Sequence, residues 1–268
     1  MSATPPVPRP MTVPEFRAAK GREKLAVVTA YDYTSARLAD EAGVDALLVG
    51  DSLGMVVQGQ SNSLAVTLGQ IAYHTRCVVR GVRRGLVVAD LPFLSYQVSA
   101  AQAVKSAGKL IKTAGAHAVK LEGGQRMAET IRAVVNAGIP VMGHVGLTPQ
   151  SVHLLGGFKV QRDLPQLLAD AKAVEEAGAF SLVVESVPVD AGAKITKAVN
   201  IPTIGIGAGA ACDGQVLVFH DMLGLFTDFR PKFVKCYADL GSQIRTAMQS
   251  YCREVRDGTF PASEHGFR

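Results

Sequence analysis

Three carboxylates stand directly after short apolar runs of strand-forming residues: Asp51 after ALLVG, Asp90 after LVVA and Glu122 after AVKL. Each then gives way to small or turn-forming residues, namely Ser52 and Gly54, Pro92, and Gly123 with Gly124. Burying a carboxylate in such a run costs on the order of several kcal/mol unless a partner neutralises it. Three converging strand ends would form an oxygen-rich pocket suited to a hard divalent cation. With no His/Cys ligand cluster in the sequence, that donor set favours Mg2+ over zinc. Local capping competes with this reading at two positions: Asp51-Ser52 and Asp90 could serve a helix start or a turn. Glu122 is a poor turn former and gains nothing locally.

Three further residues join the same chemistry. Lys120 lies two residues before Glu122, so both point to the same side of one strand. An inward lysine beside carboxylates can hold a substrate carboxylate or carbonyl oxygen. A buried ion pair with Asp90 or Glu122 is the structural alternative, and the two roles can coexist. His144 ends PVMGH and fits a catalytic acid, a substrate hydrogen-bond donor or a core histidine. Glu185 ends the apolar run of LVVES. Outside a cation's coordination sphere, such a carboxylate has the raised pKa expected of a general base; a fourth ligand or a structural acid are its alternatives. His74, His117, His153, His220 and His265 lack a comparable setting.

The elements that must position these residues alternate along the chain. Strands are expected at Leu25–Thr29, Ala46–Val49, Leu86–Ala89, Ala118–Leu121, Val141–Val145, Ser181–Val184, Thr203–Ile206 and Val216–Phe219. Helices are expected between them at Tyr33–Glu41, Thr67–Arg83, Ala100–Ala114, Gln125–Ala137, Leu164–Ala177 and Asp190–Val199. The connection over 207–215 is too short for a normal helix, so the seventh unit is degenerate or the eighth strand begins elsewhere. An amphipathic segment, Lys232–Val255, follows. Ala-Gly steps at Gly43, Gly115, Gly138 and Gly178 are the left-handed caps that end a helix before the next strand. This repetition predicts an α/β fold, a single (β/α)8 TIM barrel. An open doubly wound sheet is the runner-up and lacks a dinucleotide fingerprint. In a barrel the carboxyl ends of the strands carry function, and Asp51, Asp90, Glu122, His144 and Glu185 fall at five of them. The Gly-rich stretch IGIGAGAACDGQ is a weak phosphate cradle and equally a tight turn.

Composition narrows the class. At 268 residues with 48% hydrophobic side chains, the chain can build one large core. No run approaches the roughly 18 apolar residues of a membrane span. The net charge of +5 is scattered and aromatics are few, which argues against a nucleic-acid partner. Four cysteines without a CxxC pair suggest reduced thiols and a cytoplasmic setting. Residues 1–11, with four prolines in the first ten, read as an extended arm rather than a secretory leader. The barrel domain is expected over 12–268.

At these residues the chain resembles the ketopantoate hydroxymethyltransferase family of the phosphoenolpyruvate/pyruvate-type barrel superfamily. The matching segments include TAYDY, VGDSLGMVVQG, ADLPF, VKLEGG, GHVGLTPQS, GGFKVQ, ESVP and IGIGAG, in order, from about residue 12 onward. The resemblance implies a (β/α)8 barrel that uses one Mg2+ per subunit and 5,10-methylenetetrahydrofolate to hydroxymethylate 3-methyl-2-oxobutanoate. It implies 2-dehydropantoate as product, in the pantothenate branch that leads to coenzyme A, and a cytoplasmic homodecamer. Carried over by position, Asp51, Asp90 and Glu122 would hold the metal, and Asp51, Ser52, Asp90 and Lys120 the keto acid. Glu185 would be the proton acceptor, with His144 assisting. A Mg2+-dependent 2-oxo-acid lyase or mutase on the same barrel is the competing activity.

Overall fold

Helix ends and strand starts are set by local chemistry in this chain. The computed structural model describes residues 9–267. Gly43, Gly115, Gly138 and Gly178 all adopt positive φ, between 81° and 99°, as the Ala-Gly steps require. Side-chain caps start the helices: Asp32, Thr67, Ser99 and Asp163 each accept a backbone N–H from the first turn of the helix that follows.

In chain order the elements are α1 (Val13–Ala18), β1 (Leu25–Thr29), α2 (Tyr33–Glu41), β2 (Ala46–Val49), α3 (Leu53–Val56), α4 (Leu68–Gly81), β3 (Leu86–Asp90), α5 (Ala100–Lys112) and β4 (Ala118–Lys120). They continue with α6 (Ala128–Asn136), β5 (Val141–Gly146), α7 (Val152–Leu155), α8 (Leu164–Glu176), β6 (Ser181–Glu185), α9 (Val189–Ala198), β7 (Thr203–Ile206) and β8 (Gly214–Leu217). All eight strands are parallel and close into a barrel, β1 pairing with β8 through Leu25 and Gly214. The predicted (β/α)8 barrel is the observed fold.

Two apolar layers follow from the period-two alternation of buried strands. One face of each strand meets the surrounding helices through residues such as Val119, Leu121, Leu182 and Val184. The other fills the barrel with Leu25, Val27, Leu48, Leu86, Val88, Ala118, Met142, Val183, Ile204 and Val216. The short helix α1 contributes Phe16, fully buried, whose ring meets Phe180 edge-on at 5.8 Å. Phe180 precedes β6, so this aromatic pair packs at the amino ends of the strands.

The structure moves one predicted strand. The eighth is Gly214–Leu217, two residues earlier than its apolar run suggests, and no helix occupies 207–213. The seventh unit is therefore the degenerate one. The predicted Gln125–Ala137 helix divides into a 3-10 turn, Gln125–Met127, and α6. Of the proline-rich arm, residues 1–8 lie outside the described residues. The remainder of the arm reaches the barrel at Met11, whose amide donates to the Arg84 carbonyl at 2.6 Å.

The barrel lies in a compact unit that ends at Val218, and a second unit begins at Phe219. The second unit holds α10 (Phe219–Met222) and α11 (Leu240–Arg256). Helix α11 is the amphipathic stretch expected from sequence, started by Asp239, and its Ile244, Met248, Tyr251 and Val255 share one face. Among the described residues no helix is long and apolar enough to cross a membrane.

Candidate active site

The interior rows of the strands change character at their carboxyl ends. Following Leu86 and Val88, β3 next presents Asp90; following Ala118, β4 presents Lys120 and then Glu122. Met142 is followed on the same face by His144, and Val183 by Glu185. Register sets Asp90 opposite Lys120, and the Lys120 ammonium lies 2.8 Å from Asp90 Oδ1. His144 Nδ1 stands 3.6 Å from Glu122 Oε1, and its Nε2 stands 3.2 Å from Glu185 Oε2. Neither ring nitrogen makes an aligned hydrogen bond.

Asp51 arrives by a different route. The alternation on β2 would place Gly50 on the interior row, and the chain turns there. A Cβ at Gly50 would lie 2.8 Å from Ser52 Oγ and 3.5 Å from Asp90 Oδ2, so only glycine lets the turn pass this close. The turn delivers the Asp51 amide to Asp90 Oδ2 at 3.0 Å. Ser52, beside it, shares a 2.8 Å hydrogen bond with the Tyr31 hydroxyl. Asp51, Asp90, Lys120, Glu122 and His144 are all buried, each at 5% exposure or less. The Glu185 side chain is 15% exposed.

Burial and like charge dominate the electrostatics. Removal from water, then the neighbouring Asp90, push the Asp51 carboxyl up to about 7, against the pull of Lys120 and Gln150. Burial drives Glu122 well above the usual carboxylate range, with Lys120 opposing. Burial also works against charge on Lys120, but Asp90, Glu122 and Asp51 outweigh it and hold the ammonium above its ordinary value. His144 is lowered by burial and by Lys120, so its imidazole is neutral near pH 7. Three ionised carboxylates against one ammonium would leave two uncompensated negative charges.

A model of the family described as ketopantoate hydroxymethyltransferase matches residues 10–263. The chain belongs to this family. It is 58% identical over 263 residues to the 3-methyl-2-oxobutanoate hydroxymethyltransferase of Moorella thermoacetica, covering 96% of this chain and 98% of that one. To the enzyme of the same name from Clostridium novyi it is 56% identical over 262 residues, covering 96% and 95%. The chain is accordingly an enzyme, a hydroxymethyltransferase. Among solved structures it resembles phosphonopyruvate hydrolase in complex with oxalate and Mg2+, with a TM-score of 0.62 at 15% identity, covering 95% of this chain and 93% of that one. It also resembles 2,3-dimethylmalate lyase, with a TM-score of 0.60 at 17% identity over 95% and 91%. At such identities the likeness is one of fold.

Two members of the cluster that the sequence did not announce come from connections after strands, Gln150 from a 3-10 turn, Pro149–Ser151. Gln150, which follows β5, and Tyr96, which follows β3, are both buried. Gln150 donates its backbone N–H to Glu122 Oε2 at 3.0 Å and its side-chain amide to Asp51 Oδ2 at 2.9 Å. Gln150 does lie within GHVGLTPQS, but its type carries no signal of its own. Among the described residues, no group of three or more His, Cys, Asp or Glu forms a ready-made metal cage. The donor set nevertheless fits a divalent cation that keeps most of its own oxygen ligands. Asp90 Oδ1 meets the Lys120 ammonium at 2.8 Å without an aligned hydrogen bond, and with all three carboxylates ionised the charge balance would be two negative.

Proposed function

We propose that this chain transfers a hydroxymethyl group from 5,10-methylenetetrahydrofolate to 3-methyl-2-oxobutanoate, giving 2-dehydropantoate, with one Mg2+ held by Asp51, Asp90 and Glu122. The observation that carries the reading is the surplus of buried carboxylate around the single Lys120 ammonium. Ionised together, the three acids would carry a surplus of two negative charges in a water-poor pocket, which calls for a divalent cation and an anionic substrate bound through it. Mg2+ retains several waters, so the three carboxylates can share it directly and through water.

When bound, the cation supplies Lewis-acid polarisation of the keto acid's oxygens, an effect worth on the order of several kcal/mol. The chain's own residues do the rest. Lys120, kept protonated, sets a second positive charge at the oxygen end of the substrate and pairs with Asp90. Ser52, oriented by Tyr31, offers a hydroxyl beside Asp51 to the substrate carboxylate. Glu185, less buried than the metal-site acids, takes the C3 proton. Neutral His144 stands 3.2 Å from Glu185 Oε2 and aids the placement of that carboxylate and the onward movement of its proton. Carbon C3 then bonds to the folate-borne methylene as one of its two C–N bonds breaks and that nitrogen takes a proton; water cleaves the second C–N bond, its hydroxyl going to the methylene carbon and its proton to the nitrogen, which releases 2-dehydropantoate and tetrahydrofolate. The family resemblance supports a homo-oligomer, a decamer, acting on small molecules rather than nucleic acid or membrane, and the free cysteines among the described residues are consistent with a cytoplasmic setting.

The test is turnover of 3-methyl-2-oxobutanoate by purified protein with Mg2+ and 5,10-methylenetetrahydrofolate. Formation of 2-dehydropantoate that requires both additions is expected. Cleavage of a 2-oxo acid without folate would replace this reading with the lyase alternative.

A further inference from the structure

One buried side chain joins the acids without being one of them. The Gln150 carboxamide uses its whole hydrogen-bonding capacity. Its Nε2 donates to Asp51 Oδ2 at 2.9 Å and to the Leu91 carbonyl at 3.0 Å. Its Oε1 accepts from the Tyr96 hydroxyl at 2.8 Å and from Gln97 Nε2 at 3.1 Å. Its backbone N–H donates to Glu122 Oε2 at 3.0 Å. One residue thus ties an oxygen of Asp51 and an oxygen of Glu122, side chains delivered by two different strands.

The orientation of the amide is dictated rather than free. Its nitrogen end faces a carboxylate and a carbonyl, both acceptors, so a flipped amide would set oxygen against oxygen. The Tyr96 hydroxyl braces the other end. It also accepts from the Glu122 backbone N–H at 3.1 Å, so the tyrosine joins the glutamine to the Glu122 main chain. A fully satisfied buried network of this kind rigidifies its members. What it rigidifies here is the direction of the remaining oxygens, Asp51 Oδ1 and Glu122 Oε1.

We propose that Gln150, braced by Tyr96, is the positioning residue that presets Asp51 and Glu122 for the cation. The proposal rests on the reading of those two acids as metal ligands. Partners that orient metal-binding carboxylates typically change metal affinity about 10–100-fold when removed. Gln150→Ala removes the side-chain tether to Asp51 and the contact with Tyr96 but keeps the backbone donor to Glu122. Its Kd for the divalent ion should therefore rise by about 10–100-fold rather than become unmeasurable. Tyr96→Phe should move it in the same direction by a smaller factor, and the double variant should bind no worse than Gln150→Ala.

The test is direct titration of metal-free protein with Mn2+, the free ion followed by electron paramagnetic resonance, with thermal unfolding of each variant run in parallel. Kinetics at rising Mg2+ form a second readout: a preset lost in Gln150→Ala is recovered by excess metal, and kcat returns toward wild type. An unchanged Mn2+ Kd in Gln150→Ala, with or without a lowered melting temperature, overturns the proposal and leaves Gln150 a packing residue. Should that variant fail to fold, an unchanged Kd in Tyr96→Phe does the same. If wild-type protein binds no Mn2+, the assignment of Asp51 and Glu122 as ligands is what fails.

Discussion

Two lysine–aspartate pairs sit at opposite ends of this barrel, one partly buried and one buried, each with a 2.8 Å contact, and they are built to different ends. At the amino ends of the strands, Asp213 accepts from Lys20, from the Gly21 and Thr203 amides and from the Thr203 hydroxyl. Every nearby group favours its charge, and its carboxyl is held below the usual range in spite of burial. At the carboxyl ends, Asp90 shares its lysine with Asp51 and Glu122, and burial with mutual repulsion drives those two upward. The floor pair is balanced and the upper pair is overdrawn in negative charge. Burial of a carboxylate alone therefore does not mark a functional site; the imbalance does.

The sharpest way to separate the two ends is to remove each lysine. Lys120→Met should lower kcat by about 10^2–10^3-fold, the scale on which a preorganised donor to developing charge contributes. Lys20→Met should leave kcat within about twofold while lowering stability, read as the urea midpoint, by about 2–3 kcal/mol, the cost of unsatisfying a charged hydrogen-bond network. A catalytic loss in Lys20→Met as large as in Lys120→Met would break the comparison.

The floor can also be tested by packing alone. Phe16→Ala removes the aromatic that meets Phe180 and should destabilise by about 3–5 kcal/mol, with turnover by the remaining folded protein unchanged. A matching fall in kcat per folded molecule would mean that the floor and the site are coupled.

The smallest and most diagnostic effect is the sign of the pH dependence. Asp213 has a folded-state value below its unfolded one, so its stabilisation is complete above the ordinary value of 3.8 and is lost as pH falls below it. Asp51 is the reverse. Its unfolded form ionises near 3.8 while the folded, metal-free form keeps its proton up to about 7, so stability declines as pH rises between them. Urea unfolding across pH should show Asp213→Asn flattening the acid limb and Asp51→Asn flattening the decline toward neutrality. Mg2+ should flatten that decline in wild-type protein. A stability that rises through this window in metal-free wild type and becomes flat in Asp51→Asn would reverse the assignment.

The same contrast explains what could be read from the sequence. Asp90, Lys120, Glu122, His144 and Glu185 were legible because strand alternation carries each one up from an apolar interior row. Asp51 was legible as a candidate from residue type, but its placement was not, since Gly50 breaks the alternation and a turn brings it to Asp90. Gln150 and Tyr96 were hidden because loop paths follow from tertiary packing and neither residue type announces a site. The eighth strand was misplaced because Gly214 and Gln215 do not look like a buried strand; pairing with Leu25 and Ala26 makes them one. Helix α1 was overlooked although Thr12 and Glu15 form a complete capping box.

The central claim is that the overdrawn end of the barrel removes the C3 proton of the keto acid, with Glu185 as its acceptor. The most direct measurement is loss of deuterium from C3-labelled 3-methyl-2-oxobutanoate, with Mg2+ present and folate absent, followed by NMR for wild type and Glu185→Gln. Exchange is expected in wild type and its abolition in Glu185→Gln, with keto-acid affinity unchanged. Exchange that continues at the wild-type rate in Glu185→Gln would contradict the account.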